Sequence, residues 1–478
     1  VIALISEAWA VGYVVAEWSI RLAMVAVVPM RRSPEAARSW LILVFLLPIP
    51  ALLIYLLIGR PTYPRWRRER FLRLPAVLAA ASREISHSRY CRRPELPASL
   101  SGPALLVERL GQFPTVAGND FELLSGYDEV IDRMIADIGA AQQTVHLLYY
   151  IFADDETGLR VIDALQRAAK RQVKCRVLID AIGSRRWARR VARLLIPAGV
   201  EVRLALRVGL FHRRSARADL RNHRKIAVID SRVGYLGSQN IINAEFGGGI
   251  ANQELVARVV GPVTTEIQTV FIADWFMETN EKLANPVLFP HNPPGGGAVA
   301  QVLPSGPDYP DAGIGHLIVS LVHGARERVI ITTPYFVPDE PLLQALKTAA
   351  LRGVEVRLVV SNVTDQMLVN LAQRSFYSEL LHAGIQVHLY AQAFLHAKHI
   401  TFDDEIAILG SSNVDIRSFV LNAEVSLIAF DKGVVEQLRR QQSRYFASSN
   451  VLSLREWEKR PVASKLAENL ARLASPLL

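Results

Sequence analysis

Two stretches of the chain repeat one polar pattern. In the first, His223, Lys225 and Asp230 spell H-x-K-x-x-x-x-D and are followed by Gly237, Ser238 and Asn240; in the second, His396, Lys398 and Asp403 repeat the spacing and are followed by Gly410, Ser411 and Asn413. From composition, one such match arises in about one chain of this size in a hundred, and two that share further residues far less often, so coincidence is excluded. Alternate residues of a strand face the same way, so each His and Lys pair can present an imidazole and an ammonium to one pocket. Asp230 and Asp403 complete the catalytic signature, and for them fixing the turn after the strand is favoured over direct chemistry. The small residues allow close backbone approach, and Asn240, Asn413, Ser238 and Ser411 are expected to bind phosphate oxygens.

That set suits a phosphodiester. One imidazole can attack phosphorus in line while the other protonates the leaving alkoxide, because histidine titrates near neutral pH. The attack gives a phosphohistidine, which a second alcohol displaces. Two lysines and two asparagines would neutralise and orient the phosphate, so neither metal nor cofactor is expected. Glu254 in NQELV and Glu424 in NAEVS occupy matching places and are expected to orient the histidine rings, against the plainer reading of strand-end carboxylates. His146, His316, His323, His382, His388 and His399 make no ligand set for zinc.

The elements around these motifs read as α/β. Residues 144–152 form a buried strand, an amphipathic helix follows, and 173–180 and 200–206 are further strands; 328–340, the LLQALKTAALRGVEVRLVVS run and 382–390 repeat that order. The chain thus holds two related halves, 119–288 and 298–450, with a Pro/Gly-rich linker at 290–297, and a pseudo-twofold pair of mixed-sheet halves sharing one site is expected. The aromatic, acidic exits of the first strands place Tyr150, Tyr335 and Asp339 as candidates to line a channel, with core and cap roles as the alternative. A basic loop before the first motif carries Arg213, Arg214, Arg217 and Arg221, suited to gathering anionic headgroups or simply to solvation.

The N-terminal region, 1–75, reads as a membrane anchor. Trp40 to Ile58 is uncharged and long enough to span a bilayer, with kinks at Pro48 and Pro50; residues 8–28 form an earlier apolar stretch in which Glu17 and Arg21 can neutralise each other. A two-helix transmembrane hairpin is expected. The first stretch lacks the basic start of a signal peptide, and the missing initiator Met points to a trimmed start. Arg60, Arg65, Arg67, Arg68, Arg70 and Arg73 follow the second span and read as an anionic-lipid patch, a cytoplasmic topology signal, or both. The formal charge of +10, from 55 Lys and Arg against 45 Asp and Glu, agrees with an acidic membrane surface. The two cysteines form no paired motif. The C-terminal segment, 451–478, is amphipathic and suited to lying on a membrane or docking on the domain.

With these motifs the chain resembles the phospholipase D superfamily over residues 119–444. It is most similar to the bacterial cardiolipin synthase branch, through the N-terminal LLPIPALLIYLLIGR, QVLPSGPDYPD, DIRSFVLNAEV and the ending ENLARLASPLL. The resemblance implies that His, Lys and Asn of both copies share one pocket, and that phosphatidylglycerol is both donor and acceptor. It also implies a multi-pass protein of the bacterial inner membrane with a cytoplasmic catalytic domain, whose partners are anionic lipids rather than nucleic acid. A phospholipase D hydrolase or a phosphatidylserine synthase-like transferase is the nearest alternative.

Overall fold

The computed structural model describes residues 2–32, 34–59, 65–78, 85, 89–208, 217, 219–246, 249–283, 288–289, 292–309 and 313–473. Apolar runs such as Thr144–Tyr149, buried along their whole length, cannot form one wet face and must lie inside a covered sheet. The first set of strands is β1 Val116–Leu124, β2 Thr144–Tyr149, β3 Lys174–Asp180, β4 Glu201–Ala205, β5 Ile226–Ile229, β6 Val233–Gly237 and β7 Val256–Val260. The second is β8 Ala298–Ser305, β9 Arg328–Thr332, β10 Glu355–Ser361, β11 Gln386–Tyr390, β12 His399–Phe402, β13 Ile406–Gly410 and β14 Glu424–Ala429, with β15 Ser449–Val451 added at the edge.

All fifteen join one sheet, ordered β15-β11-β10-β9-β12-β13-β14-β8-β1-β7-β6-β5-β2-β3-β4. β1 and β8 meet antiparallel at the centre. Counted outward from that seam, the strands of each half follow the same order. Relative directions match too: the three outer strands of each set are mutually parallel, and the rest antiparallel. One hydrophobic core crosses the seam, joining Phe121, Leu255 and Val259 to Val302, Leu409 and Leu427. The helix Val263–Thr279 is buried from Val263 to Met277, as a helix without a polar face must be.

The N-terminal region departs from the expected two-span hairpin. Helix α1, Ile2–Val27, contains a 19-residue apolar stretch, Trp9–Val27, long enough to cross a membrane. Its Glu17 and Arg21 pair at 3.1 Å, as their spacing predicts. Residues 40–58 do not form one continuous helix. They divide into α2, Pro34–Leu46, and α3, Pro48–Ile58, with a non-helical break at Leu47 (φ −136°, ψ 73°). Pro48 has no N–H to continue the helical ladder and suits the first position of a new helix. The two helices then fold together. The rings of Trp40 and Tyr55 lie edge to face at 5.1 Å, whereas fifteen residues along an unbroken helix would separate them by about 22 Å. At about 20 Å and about 16 Å, α2 and α3 are each too short for a hydrocarbon core of about 30 Å.

The arginine-rich flank is corrected in part. It forms α4, Arg65–Val77, which packs on α5, the Val263–Thr279 helix. Arg67 is buried between Glu278 and Asp308, and Arg70 donates to the Met277 carbonyl at 2.7 Å. These two cations hold α4 to the domain and do not face outward as a lipid patch. Arg65, Arg68 and Arg73 remain exposed, and Arg60 lies outside the described residues.

Candidate active site

The strands after the motifs start later than the H-x-K spacing implies, at Ile226 and His399. His223 and His396 instead sit on extended segments that cross to the opposite half. Asn222 bridges Ala423 in parallel, and His223 N–H donates to the Ala423 carbonyl at 2.9 Å. Likewise Phe394–Leu395 pairs with Asn252–Gln253, and His396 N–H donates to the Gln253 carbonyl at 2.9 Å. Each histidine is thereby set beside the glutamate of the other half. His223 Nδ1 lies 2.9 and 3.1 Å from the two Glu424 carboxylate oxygens, and His396 Nδ1 lies 2.7 Å from Glu254 Oε1. The glutamates contact the rings, and they do so by exchange between halves.

Both histidines open into one cavity of about 560 Å³, lined also by Tyr150, Asn240, Tyr335, Asn413 and Arg417. The lysines are not among its lining side chains. Lys225 Nζ and Lys398 Nζ each donate at 2.6 Å to the carbonyl of the histidine two residues earlier, which draws them behind the wall. Asn240 Oδ1 accepts from Ile151 N–H at 3.0 Å, so that residue also pins the backbone beside Tyr150.

Electrostatics set the resting protonation. Burial pushes His223 down to about 4, with Lys225 and Lys398 adding to the effect and Glu424 opposing it. His396 is lowered for the same reasons, with Glu254 in opposition. Burial works to raise both carboxyls, but the adjoining histidine and lysine charges and hydrogen bonds overcome it, holding Glu254 at about 2 and Glu424 below its ordinary range. At neutral pH the pairs are therefore neutral imidazole and carboxylate. Nδ1–H donates to the carboxylate, and each Nε2 keeps its lone pair. Burial also lowers Lys225 to about 7 and Lys398 to about 8. An arriving phosphate anion reverses that trend.

Several expected site residues lie elsewhere. The Asp230 carboxylate accepts the N–H groups of Gln142, Gln143 and Thr144 at 2.7–2.8 Å, and Asp403 accepts those of Glu327 and Arg328 at 2.8 and 2.9 Å. Each aspartate clamps the start of β2 or β9 to the far end of the motif strand, away from the cavity. Ser238 and Ser411 are fully buried and are not phosphate ligands in this arrangement. Ser238 Oγ bonds the Leu255 backbone, while Ser411 Oγ donates to the Glu424 carboxylate. Gly237 and Gly410 pass so close to the Leu255 and Val425 carbonyls that a Cβ has no room. Asp339 caps a helix by accepting from Leu342 N–H at 3.2 Å. His399 is buried and stacks on Tyr445, a packing role.

A sequence model of the family described as "Cardiolipin synthase, PLD-like domain" matches residues 134–275 and 318–446. The chain belongs to the PLD-like cardiolipin synthase family. "Cardiolipin synthase A" of Pectobacterium carotovorum subsp. carotovorum is 35% identical over 457 residues, covering 94% of each chain. The protein of that name from Yersinia pseudotuberculosis is 34% identical over 460 residues, again with 94% of each covered. A crystal structure of phosphatidylserine synthase from Haemophilus influenzae superposes with a TM-score of 0.61 at 16% identity, covering 80% of this chain and 100% of that one, a likeness of fold. The enzyme class that accompanies membership of the cardiolipin synthase family is phosphatidyltransferase.

In this cardiolipin synthase family member, the flanks of the two histidines were not legible beforehand. Arg224 Nη1 lies 2.6 Å from both oxygens of buried Asp274, and Asn222 Nδ2 donates to the same carboxylate at 3.1 Å. Arg224 also donates to the Glu424 and Ser305 carbonyls, at 2.9 and 3.2 Å. The sequence carried no separate signal for it, because Arg224 stands in an unbroken polar run, Arg221 to Lys225. Arg221, assigned to a headgroup-gathering loop, lines the cavity but is paired with buried Asp180 at 3.2 Å. Arg213 and Arg214 lie outside the described residues. Asp365 and Gln366 also reach the cavity, and both bond the Tyr335 hydroxyl, at 2.6 and 2.9 Å.

Proposed function

We propose that this chain transfers a phosphatidyl group from one phosphatidylglycerol to the primary hydroxyl of another, giving cardiolipin and glycerol. The observation that carries the proposal is the pair of imidazoles, each held by the other half's glutamate and both facing one cavity. His223 Nε2 attacks phosphorus, the bond to the glycerol oxygen breaks, and His396 Nε2–H protonates the departing oxygen. The bound phosphate's negative charge and Glu254 favour the protonated His396 that this step needs. The acceptor hydroxyl then gives its proton to His396 as its oxygen bonds to phosphorus. The P–N bond breaks, and its electron pair returns to His223.

Lys225, Lys398, Asn240 and Asn413 are the proposed phosphate clamp. The lysines turn from the histidine carbonyls toward the anion, and each ammonium has two further donors for it. Preference for a lipid alcohol over abundant water requires the acceptor to be held against the phosphohistidine, where effective molarity favours transfer. A pseudo-twofold relation of the halves fits this reading, because one strand order repeated about the β1–β8 seam would set two equivalent groups on opposite sides of one phosphorus. The protein works at a membrane, with phosphatidylglycerol as its partner.

The test supplies purified enzyme with phosphatidylglycerol alone and follows products by lipid mass spectrometry. Cardiolipin and glycerol should form in equal amounts, and chelators should not inhibit. Phosphatidic acid as the main product would indicate a hydrolase, and strict dependence on CDP-diacylglycerol would sink the two-phosphatidylglycerol reaction.

A further inference from the structure

The folded-back α2–α3 pair changes how the anchor meets the bilayer. Its two ends lie at the same level. Val28 after α1, Ala37 in α2 and Tyr55 in α3 share one buried cluster, and Arg32, in the α1–α2 turn, is within electrostatic reach of Tyr55, Arg217 and Asp219. That base stands beside the active site, because Arg417, which lines the cavity, donates to the Asp219 carbonyl at 3.1 Å. The far end is the Leu46–Leu47 break, where both leucines are exposed and the Phe45 carbonyl meets Arg21, in the last third of α1, at 3.4 Å. From Trp40 to Ile58 nothing is charged.

A second apolar surface continues from the same base. Helix α6, Met367–His382, and helix α7, Val462–Leu473, pack together, with Arg374 paired to Glu468 and Arg472 to Glu379. One face of α7 is thus docked on the domain. The other exposes Val462, Leu466, Leu470 and Leu473, spaced as a helical stripe. The Leu473 carbonyl accepts from Ser39 Oγ of α2 at 3.0 Å, and α6, on which α7 is docked, exposes Met367 and Leu368 next to Val369 of the cavity lining.

We propose that α2–α3 is a re-entrant wedge entering one leaflet from the side of the catalytic domain, that α1 alone crosses, and that the α7 stripe lies on that leaflet and holds the cavity mouth against it. The occupant of the stripe is lipid because the stripe is continuous with an uncharged helical pair too short to cross and too apolar for water. This deepens the membrane reading proposed above and rests on it. Its topology separates it from a two-span hairpin, which would carry the α1–α2 turn to the opposite face of the membrane.

The experiment uses the full chain in sealed proteoliposomes, in a Cys91→Ser background that leaves only buried Cys175. Single cysteines are introduced as Met30→Cys in the turn, Leu47→Cys at the break and Leu351→Cys on the domain surface, and labelled with an impermeant maleimide. Met30→Cys and Leu351→Cys should react from the same face, and Leu47→Cys from neither until detergent is added. Labelling of Met30→Cys from the face opposite Leu351→Cys, or of Leu47→Cys from either face, overturns the wedge. For the stripe, Leu466→Glu with Leu470→Glu should lower turnover on bilayers relative to mixed micelles by about tenfold, whereas an unchanged ratio overturns that part. Should phosphatidylglycerol yield no cardiolipin, the proposed reaction fails while the labelling pattern still decides the topology.

Discussion

The two halves place an imidazole, a lysine and an exchanged glutamate in the same relation, yet they frame that set differently. His223 is flanked by Asn222 and Arg224, both tied to Asp274 in a buried ionic network. His396 is flanked by Leu395 and Ala397, both buried and apolar. Chemistry demanded the same geometry twice, but the backbone carrying it can be held by charge or by packing. A buried ion pair recovers its desolvation cost only when every donor and acceptor is matched, so the first frame is the more brittle of the two. The cavity walls also differ: Arg221 and Arg417 belong to the basic side with Tyr150 and His223, while Tyr335 and Phe394 are grouped with His396.

The largest effect should come from the residues the halves share. His223→Ala and His396→Ala should each reduce turnover by about 10⁴-fold or more, and the double variant should be little worse, because the pair acts as a unit. A phosphoenzyme trapped on His396 in the His223→Ala protein would reverse their roles, and a single variant retaining near-normal turnover would break the equivalence altogether.

Next in size are the exchanged carboxylates. Glu424→Gln and Glu254→Gln should each cost about 10²-fold or more, through loss of ring orientation and of imidazolium stabilisation. Heteronuclear NMR tests the exchange itself: Glu424→Gln should lower the His223 titration further below about 4 and leave that of His396 nearly in place. A response confined to His396 would mean that each glutamate serves its own half.

The frames should separate in stability. Asp274→Ala strips the partner from buried Arg224 and should cost about 3–5 kcal/mol. Leu395→Ala opens a cavity and should cost about 2–4 kcal/mol. Calorimetric unfolding of both variants would sharpen the contrast, and a smaller loss for Asp274→Ala would remove the claim that the ionic frame is the brittle one.

The smallest predicted effect concerns pH. An unfolded histidine takes up its proton near pH 6.5, whereas folded His223 does so only near about 4. Between those values the unfolded chain binds more protons, so His223 makes stability rise with pH from about 4 to 6.5. Its contribution is fully present above that window and is lost as pH falls through it. Denaturant unfolding at several pH values should therefore show a shallower slope for His223→Asn than for the parent chain, with any residual slope arising from His146, His388 and His399, which are lowered in the same direction.

Much of the site could be read before any fold was known. The repeated spacing singled out both histidines, both lysines, the turn aspartates and the two glutamates as candidates, because strand period and turn position are local properties. Ser238 and Ser411 misled because a hydroxyl beside an Asn has the same composition whether it faces a phosphate or a neighbouring carboxylate. The lysines were placed in the cavity by strand alternation, but the segment before Ile226 is not a regular strand, and their ammonium groups reach a nearer carbonyl.

The sequence by itself determined the duplication, the chemical character of each half-site and the apolar nature of the N-terminal region. Only the tertiary structure decided which glutamate serves which histidine, because that depends on the sheet closing at the β1–β8 seam and carrying each motif segment across to its opposite. It also decided that residues 40–58 turn back on themselves. A hydropathy run reports that a segment avoids water, and one straight helix and a folded-back pair satisfy that equally; the break at Leu47 and the Trp40–Tyr55 contact select the pair. Arg67 and Arg70 were read as part of a lipid patch or a topology signal for a like reason, since a cation's sequence position shows its charge but not the carboxylate or carbonyl that the fold brings to it.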